Sequence, residues 1–219
     1  MKVKFEIDGE EYDEFSEEDP FLMEAVAEDL NFNYVNKLFK LPDYKTHSEP
    51  AHNLEDDQLQ NFIDVIDDNI GDLYVKNRGP DWKDDKEEEM TEPGLIFVWF
   101  TDDNDELVGY LSFKICIDDD DIFVVYLFEI HLTENFQGKK IGQQLIDQFH
   151  EFAKLLHNSS HNLYKNVTAT ALTVFSENER ALNWYKKLNY ELTGGSPVDR
   201  KLRNGKIVKP EYYLMRRSL

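Results

Sequence analysis

The chain has 219 residues, of which 41% are hydrophobic and 13% aromatic, so it can bury one substantial core and is not wholly disordered. A formal net charge of −21 argues against direct binding to DNA or RNA, whose phosphates would repel it. No apolar run approaches the ~20 residues that a membrane helix needs, and the first residues, which turn acidic at Glu6, are not expected to act as a secretion signal. The single Cys116 cannot form an internal disulfide, which favours a reducing compartment.

The charge is distributed unevenly along the chain. Residues 1–120 carry 35 acidic and 10 basic side chains, a net charge of −25, whereas residues 121–219 carry a net charge of +4. An acidic half attracts cations, polyamines or basic peptides, or serves solubility alone. Charge by itself favours the role in solubility.

The first half of the chain is expected to contain one strong helix. Residues 1–20 are acidic and contain turn residues, which predicts a loosely attached lead-in, and a helix is plausible from Phe21 to Phe39. Asn53 is a candidate N-cap for an amphipathic helix, because apolar residues recur at helical spacing as far as Asn77. The acidic stretch from Asp81 to Glu92 is predicted to be a loop.

Further along, the hydrophobic pattern changes to that of strands. Leu95–Phe100 and Leu107–Ile117 are predicted to form a hairpin. Ile122–Leu132 is almost continuously apolar, as a strand buried on both faces is, and Glu129 is the one carboxylate in its interior. The four aspartates Asp118–Asp121 could bind a cation, but the absence of EF-hand spacing favours a solvated turn.

The last third of the chain alternates helices and strands. A helix is predicted from Ile141 to Leu156 and a strand from Val167 to Phe175. Ser176–Glu179 matches a capping box that would open another helix. Two final strands are predicted at Tyr190–Leu192 and Glu211–Met215. The order of helix, hairpin, central strand, helix, strand, helix and strands indicates a mixed α/β single domain.

The loop between the central strand and the following helix is the most informative segment. It contains Gly138, Lys139 and Lys140 and runs into a predicted helix N-terminus at Ile141 and Gly142. Unpaired N–H groups and the positive end of the helix dipole at such a place hold phosphate oxygens. The loop alone is also compatible with an ordinary turn between a strand and a helix.

Two motifs resemble the GNAT superfamily of N-acetyltransferases. Gln137-x-x-Lys140-x-Gly142 is similar to its Gln/Arg-x-x-Gly-x-Gly/Ala pyrophosphate-binding loop, although Lys140 stands where glycine is usual. Asn178–Ala181, with Tyr185 and Tyr190, is similar to its Asn-x-x-Ala…Tyr…Phe/Tyr helix. Over residues 54–217 the chain resembles the NatD branch, the N-terminal acetyltransferases of histones whose tails begin Ser-Gly-Arg-Gly. The segments that carry this likeness are Trp82–Thr91, Tyr126–Glu129, Leu172–Phe175 with Asn178, and Tyr212 ahead of Arg216 and Arg217.

The resemblance implies a GNAT acyl-CoA N-acyltransferase fold, an α/β arrangement with a mixed sheet, as a single domain over residues 51–219. Residues 1–50, which the resemblance does not cover, are expected to form an acidic N-terminal segment that can be helical and wraps the core. Acetyl-CoA is implied as co-substrate, without a metal. The implied acceptor is the N-terminal serine of histone H4 and of the other core histone with a Ser-Gly-Arg-Gly tail. The protein would be a monomer of the cytoplasm and nucleus that binds neither nucleic acid nor membrane.

The resemblance also assigns roles to residues. Glu129 would be the general base, and burial on a strand is expected to raise the pKa of its carboxyl. Tyr185 would protonate the departing thiolate, unless it is a core aromatic residue beside Trp184. The cofactor-binding residues would be Ile130, His131 and Leu132 through their main chain, Gln137, Gly138, Lys139, Lys140, Ile141, Gly142 and Gln143 at the pyrophosphate, and Asn178 at the cofactor arm. The substrate-binding residues would be Tyr74, Tyr126, Phe128, Thr173 and Tyr212.

Other interpretations remain open at the level of sequence. The NatD pattern has an acid on the strand where Cys116 and Ile117 stand here, so Asp118 or a neighbour would have to contact a substrate arginine. The acidic half would also suit a polyamine acetyltransferase. A non-catalytic acidic histone-binding module is a third possibility, against which Glu129 and the intact loop argue. His157 and His161 share a helix face, but no third metal ligand is evident.

Overall fold

The computed structural model of the chain describes all 219 residues and alternates helices with strands, as the sequence pattern predicts. No helix combines the length and the apolar composition that crossing a membrane requires. The helices are α1 (Pro20–Leu30), α2 (Asn36–Leu38), α3 (Asp56–Arg78), α4 (Trp82–Met90), α5 (Ile141–His157) and α6 (Glu179–Lys187). The strands are β1 (Lys2–Ile7), β2 (Glu10–Glu14), β3 (Lys45–Pro50), β4 (Ile96–Thr101), β5 (Leu107–Ile117), β6 (Phe123–Leu132), β7 (Ala169–Phe175), β8 (Glu191–Leu192), β9 (Arg200–Lys201), β10 (Ile207–Val208) and β11 (Tyr212–Ser218).

Seven strands form one mixed sheet in the order β3-β4-β5-β6-β7-β11-β8. Its neighbours are antiparallel except β6 and β7, which run parallel and are connected through α5. The parallel pairing extends only from Val124 opposite Ala169 to Leu127 opposite Leu172. Beyond these residues β6 and β7 diverge, and this opening positions the site described below.

The sheet is covered on both faces, and each face has its own apolar cluster. Helices α1, α5 and α6 pack on one face, where residues such as Leu22, Phe149 and Phe152 of the helices meet Phe113 and Val125 of the sheet. Helices α3 and α4 pack on the other face over a smaller cluster centred on Phe62, Phe97 and Tyr110. The α5 side chains predicted to share one face, Leu145, Phe149, Phe152, Ala153 and Leu156, are all buried.

The first 50 residues are folded against the core. Strands β1 and β2 form a hairpin, and Phe5, Ile7 and Phe15 are buried in the larger cluster. Strand β3 joins the edge of the main sheet beside β4. The expectation of a loosely attached lead-in is therefore wrong, because alternate apolar residues of this acidic segment supply a buried face. A domain boundary at residue 50 stays a prediction.

Two local predictions for the α3–α4 region are also wrong. Asn53 is not the N-cap, because α3 begins at Asp56 after Glu55, and Asn53 instead donates a hydrogen bond to Glu28. The stretch predicted as an acidic loop forms α4. Its buried residues are Trp82, Lys86 and Met90, spaced four apart, so the face that packs on the sheet contains a lysine where sequence patterns expect an apolar residue.

Candidate active site

A β-bulge in β6 determines which way Glu129 points. Ser112 of β5 lies opposite Glu129, but the next residue, Phe113, lies opposite Leu127, so Phe128 is an extra residue in β6. Leu127 belongs to the cluster under α5, and strict alternation would place the side chain two residues later on that face as well. The bulge shifts the alternation, and Glu129 faces α3 and α4 instead.

Glu129 lies in a cavity of about 570 Å³ between α3, α4, α6 and the diverging strands β6 and β7. Both predicted catalytic residues and all five predicted substrate-binding residues line this one cavity, although they come from distant parts of the chain. These are Tyr74, Tyr126, Phe128, Glu129, Thr173, Tyr185 and Tyr212.

The Glu129 carboxylate is buried and is surrounded by donors. The ammonium of Lys86 pairs with Oε1, His131 Nε2 lies 2.6 Å from Oε2, and the Tyr74 hydroxyl lies 3.4 Å from Oε1. Burial acts to raise the pKa of Glu129, but the charge of Lys86 and the hydrogen bond from His131 outweigh it and lower the pKa to about 2. The expected raised pKa is therefore wrong, because sequence reasoning did not anticipate a buried cation beside the carboxylate.

Lys86 is held between two carboxylates. Besides Glu129, it pairs with Glu89 at 2.6 Å, one turn along α4. Burial acts to lower the pKa of Lys86, yet the negative charges of Glu129 and Glu89 raise it, so the ammonium stays protonated. Glu89 itself has a raised pKa because of its burial.

Aromatic side chains form the walls of the cavity. Tyr74 stacks on Trp82 with ring centroids 4.3 Å apart and meets the edge of Phe175 at 4.9 Å. On the other side, the Tyr126 hydroxyl lies 2.6 Å from Thr173 Oγ1. Trp82, the first residue of α4, supports Tyr74 and lines the cavity.

Tyr185 reaches the same cavity from α6 and also contacts the core. Its ring packs between Trp184 and Tyr190, with centroids 5.2 and 5.6 Å away, while its hydroxyl has no hydrogen-bond partner. Burial raises the pKa of this phenol, so the hydroxyl keeps its proton. The geometry is therefore compatible with both interpretations of Tyr185, as a core aromatic residue and as the donor of a proton to the departing thiolate.

The loop between β6 and α5 fits a pyrophosphate. None of the six consecutive main-chain N–H groups from Gly138 to Gln143 has an acceptor within the protein. Gly138 and Lys140 have positive φ angles of 73° and 64°, and Lys140 takes this left-handed conformation as the residue before α5. Six free donors at a helix N-terminus, beside the exposed Lys139 and Lys140, suit phosphate oxygens.

Two of the predicted cofactor contacts are already engaged within the protein. The Leu132 carbonyl accepts hydrogen bonds from Asn69 at 3.0 Å and from Gln137 at 3.2 Å. Asn178 is the N-cap of α6, and its side-chain oxygen accepts from Ala181 N at 3.1 Å. The predicted capping box at Ser176 is therefore wrong, since the Ser176 hydroxyl donates to the Pro210 carbonyl. The amide nitrogen of Asn178 makes no hydrogen bond within the protein and remains for a cofactor.

The acids available to a basic substrate differ from those that the sequence suggests. Asp118 pairs with Arg216 at 2.6 Å and is therefore not free to contact a substrate arginine. Asp85, Glu89 and Glu92 line the cavity instead, but Glu89 pairs with Lys86 and Glu92 pairs with Lys114, each at 2.6 Å, so of the three only Asp85 makes no ion pair. These acids lie on or beside α4, and sequence analysis did not single them out because it did not predict that helix.

The histidines considered as metal ligands bind main-chain groups. His157 Nδ1 lies 2.7 Å from the Val167 carbonyl, and His161 Nε2 lies 2.9 Å from the Glu6 carbonyl. No three His, Cys, Asp or Glu side chains are grouped as a metal ion requires.

The sequence of this chain is similar to those of known proteins. The model of the acetyltransferase (GNAT) family matches residues 53–190. N-alpha-acetyltransferase 40 of Saccharomyces cerevisiae is 29% identical over 176 residues, which are 73% of this chain and 59% of that protein, so the match spans less than two thirds of the relative's length.

Solved structures resemble this chain in fold. PH1933 from Pyrococcus horikoshii OT3 has a TM-score of 0.53 at 19% identity, over 80% of this chain and 99% of that one. Arabidopsis thaliana NAA60 in complex with a bisubstrate analogue has a TM-score of 0.51 at 13% identity, over 80% and 98%. Identities this low show a shared fold and nothing more.

Proposed function

The chain belongs to the acetyltransferase (GNAT) family, whose model matches more than half of its residues, and from this premise we propose that it acetylates the N-terminal α-amine of a peptide. The observation that carries the proposal is the position of Glu129 on the bulge of β6, where it faces an aromatic-walled cavity. The loop that follows β6 leads into α5, and its main-chain N–H groups from Gly138 to Gln143 are free. Acetyl-CoA, the co-substrate of this family, would supply the acetyl group as a thioester.

The residues of the chain divide the proton transfers between them. Glu129 accepts the proton that the amine loses while its nitrogen bonds to the acetyl carbon. Tyr185 gives a proton to sulfur as the carbon–sulfur bond breaks and recovers one from solvent. The products are the N-acetylated peptide and the free thiol, so atoms and charge balance.

Lys86 keeps the proton acceptor ionised. With a pKa of about 2, Glu129 is a carboxylate at neutral pH, so it is available as the proton acceptor and passes an accepted proton readily to water. The charge of Lys86 is itself neutralised by Glu129 and Glu89, so the intrinsic pKa of the amine decides how easily it loses its proton. An α-amine, with an ordinary pKa of about 7.7–8.0, then needs far less help than a lysine side chain at about 10.4.

The proposed substrates are histone tails that begin Ser-Gly-Arg-Gly, as for the NatD branch. Tyr74, Tyr126, Phe128 and Tyr212 line the cavity, and aromatic walls of this kind suit a small, closely held N-terminal residue. Asp85, which makes no ion pair within the protein, lines the same cavity and can pair with a basic side chain that follows. The 29% identity with N-alpha-acetyltransferase 40 supports an α-amine as the acceptor. We propose the cytoplasm and nucleus as the location, where histones are made and used.

Acetyl-CoA turnover tests the proposal directly. A Ser-Gly-Arg-Gly peptide and spermidine would be offered separately at equal concentration, at low and at physiological ionic strength. We expect turnover of the peptide to dominate and its KM to rise with salt, because exposed acids attract the basic peptide over a Debye length of about 8–10 Å. Faster turnover of spermidine would favour a polyamine acetyltransferase, and turnover of neither would favour a binding module.

A further inference from the structure

A chain of hydrogen bonds connects Glu129 with the loop that precedes α5. His131 Nε2 lies 2.6 Å from Glu129 Oε2, and His131 Nδ1 lies 3.2 Å from Asn69 Nδ2. Asn69 Oδ1 accepts from Gln137 Nε2 at 2.7 Å. Asn69 Nδ2 and Gln137 Nε2 both donate to the Leu132 carbonyl, at 3.0 and 3.2 Å. His131 is thus tied to residues outside its own strand.

The Leu132 carbonyl fixes the orientation of both amides. A carbonyl oxygen only accepts hydrogen bonds, so Asn69 and Gln137 must each turn their NH₂ group toward it. With that orientation, Asn69 Oδ1 accepts from Gln137, and the second hydrogen of Asn69 Nδ2 points at His131 Nδ1. The assignment of oxygen and nitrogen in the amides therefore follows from the network itself.

The orientation of Asn69 determines the tautomer of His131. A nitrogen that receives a hydrogen bond carries no proton, so Nδ1 is the unprotonated nitrogen of the ring. The ring proton of the neutral imidazole then lies on Nε2, which faces Glu129. The bend in α3 at Ile70, where φ is −145° and ψ is 16°, follows directly after Asn69 and leads to Tyr74 on the other side of Glu129.

We propose that Asn69 is a positioning residue that holds His131 in the tautomer with its proton on Nε2, so that His131 donates a permanent hydrogen bond to Glu129. The inference rests on the proposed function insofar as Glu129 accepts the proton of the amine. His131 keeps Oε2 occupied and holds the carboxylate in one orientation, with Oε1 toward Lys86 and Tyr74. His131 is accordingly not the base, because its Nδ1 lone pair is already engaged by Asn69.

The other titratable and charged groups around Glu129 come from four elements and stay the same when His131 or Asn69 is replaced. They are Lys86 and Glu89 of α4, Tyr74 of α3, Tyr110 of β5 and Tyr185 of α6. A change in the pH dependence of a variant can therefore be attributed to the hydrogen bond between His131 and Glu129.

The tautomer can be measured without any turnover. In protein with ¹⁵N-labelled histidine, NMR distinguishes protonated from unprotonated ring nitrogens, and loss of a signal in His131→Phe assigns it. We expect wild-type His131 to show an unprotonated Nδ1 and a protonated Nε2. Asn69→Asp offers only oxygen atoms, so Nδ1 should gain a proton. Asn77→Asp makes the same change on the same helix outside the network and should leave the spectrum of His131 unchanged.

Kinetics test the consequence for Glu129. His131→Phe keeps a ring beside Tyr110, with which His131 stacks at 5.8 Å, but removes the donor. We expect kcat to fall roughly tenfold to 100-fold, as when a charged group loses one hydrogen bond, while KM for acetyl-CoA is unchanged. The acidic limb of kcat/KM should move to higher pH, and His131→Gln, which restores an N–H donor, should recover part of kcat.

Two results would overturn the inference. One is a wild-type His131 that carries its proton on Nδ1, and the other is a His131→Phe variant with the wild-type kcat and pH profile. If the wild-type protein acetylates no peptide, the proposed function fails, whereas the NMR result still decides whether Asn69 fixes the tautomer.

Discussion

The ammonium of Lys86 lies against Oε1 of Glu129, and the two side chains expose only 3% and 7% of their surface. This pairing keeps Glu129 ionised at neutral pH, whereas burial alone would raise its pKa and favour its protonated form. The electrostatics of the site therefore depend on a residue of α4 that sequence analysis did not single out.

Replacing Lys86 by methionine should affect both stability and pH dependence. It leaves Glu129 buried without its cation, a change that typically costs about 3–5 kcal/mol in the free energy of unfolding. The pKa of Glu129 should rise, which moves the acidic limb of kcat/KM to higher pH. Lys83→Met, which removes an exposed lysine of the same helix paired with Asp67, is the control and should cost about 0–1 kcal/mol. Equal stability of the two variants in urea would contradict the assigned role of Lys86.

Glu129 should also make the folded state sensitive to acid. Its pKa in the folded protein, about 2, is below the ordinary value of about 4.3 for glutamate. The carboxylate therefore stabilises the fold above about pH 4.3, and this contribution is lost as the pH falls from there through 2. Urea unfolding of Glu129→Gln should show a shallower loss of stability in that window than the wild type. The exposed Glu134→Gln variant should follow the wild-type profile, and a parallel profile for Glu129→Gln would refute the linkage.

Glu129→Gln should also separate catalysis from binding. Without the carboxylate, turnover should fall by roughly 10²–10⁴, the usual contribution of a positioned general base. Affinity for acetyl-CoA should persist, because the loop at residues 138–143 is untouched. Turnover measured over a pH series and acetyl-CoA affinity measured by calorimetry test these two expectations. Near-normal turnover would mean that another group takes the proton.

Gly142→Glu tests the phosphate-binding loop. The new Cβ would meet only Leu132 Cδ1, at an ordinary 3.8 Å, so the fold should be retained. A carboxylate at the free N–H groups should repel the phosphates and weaken acetyl-CoA binding strongly, whereas the neutral, equally large Gly142→Gln should bind more tightly than Gly142→Glu. Calorimetry that found the same affinity in the glutamate variant as in the wild type would remove the loop as the pyrophosphate site.

The sequence predicted the elements whose apolar spacing is regular. The strands β4 to β7 and the helix α5 lie within two residues of the expected bounds, and the family match together with the fold of the solved relatives confirms the predicted acyltransferase fold. Glu129 could be singled out because it is a lone carboxylate in an apolar strand.

What the sequence could not predict depends on contacts between distant residues. The bulge at Phe128 arises from the register between β5 and β6. No residue type in this part of β6 indicates that a bulge is present. Lys86 is buried because two carboxylates neutralise it, so its helix lacks the apolar stripe that identifies α3. Asn69 matters only because Leu132 and Gln137, more than 60 residues away in the chain, meet its amide.

Acetylation at a free N-terminus is the central claim, and mass spectrometry of two peptides tests it most directly. One peptide begins Ser-Gly-Arg-Gly with a free α-amine and contains lysines further along, and the other is identical except that its N-terminus is blocked. We predict that the first gains one acetyl group, located on the N-terminal serine, and that the second gains none. Equal acetylation of both peptides would contradict this account, because the acceptor would then be a lysine side chain.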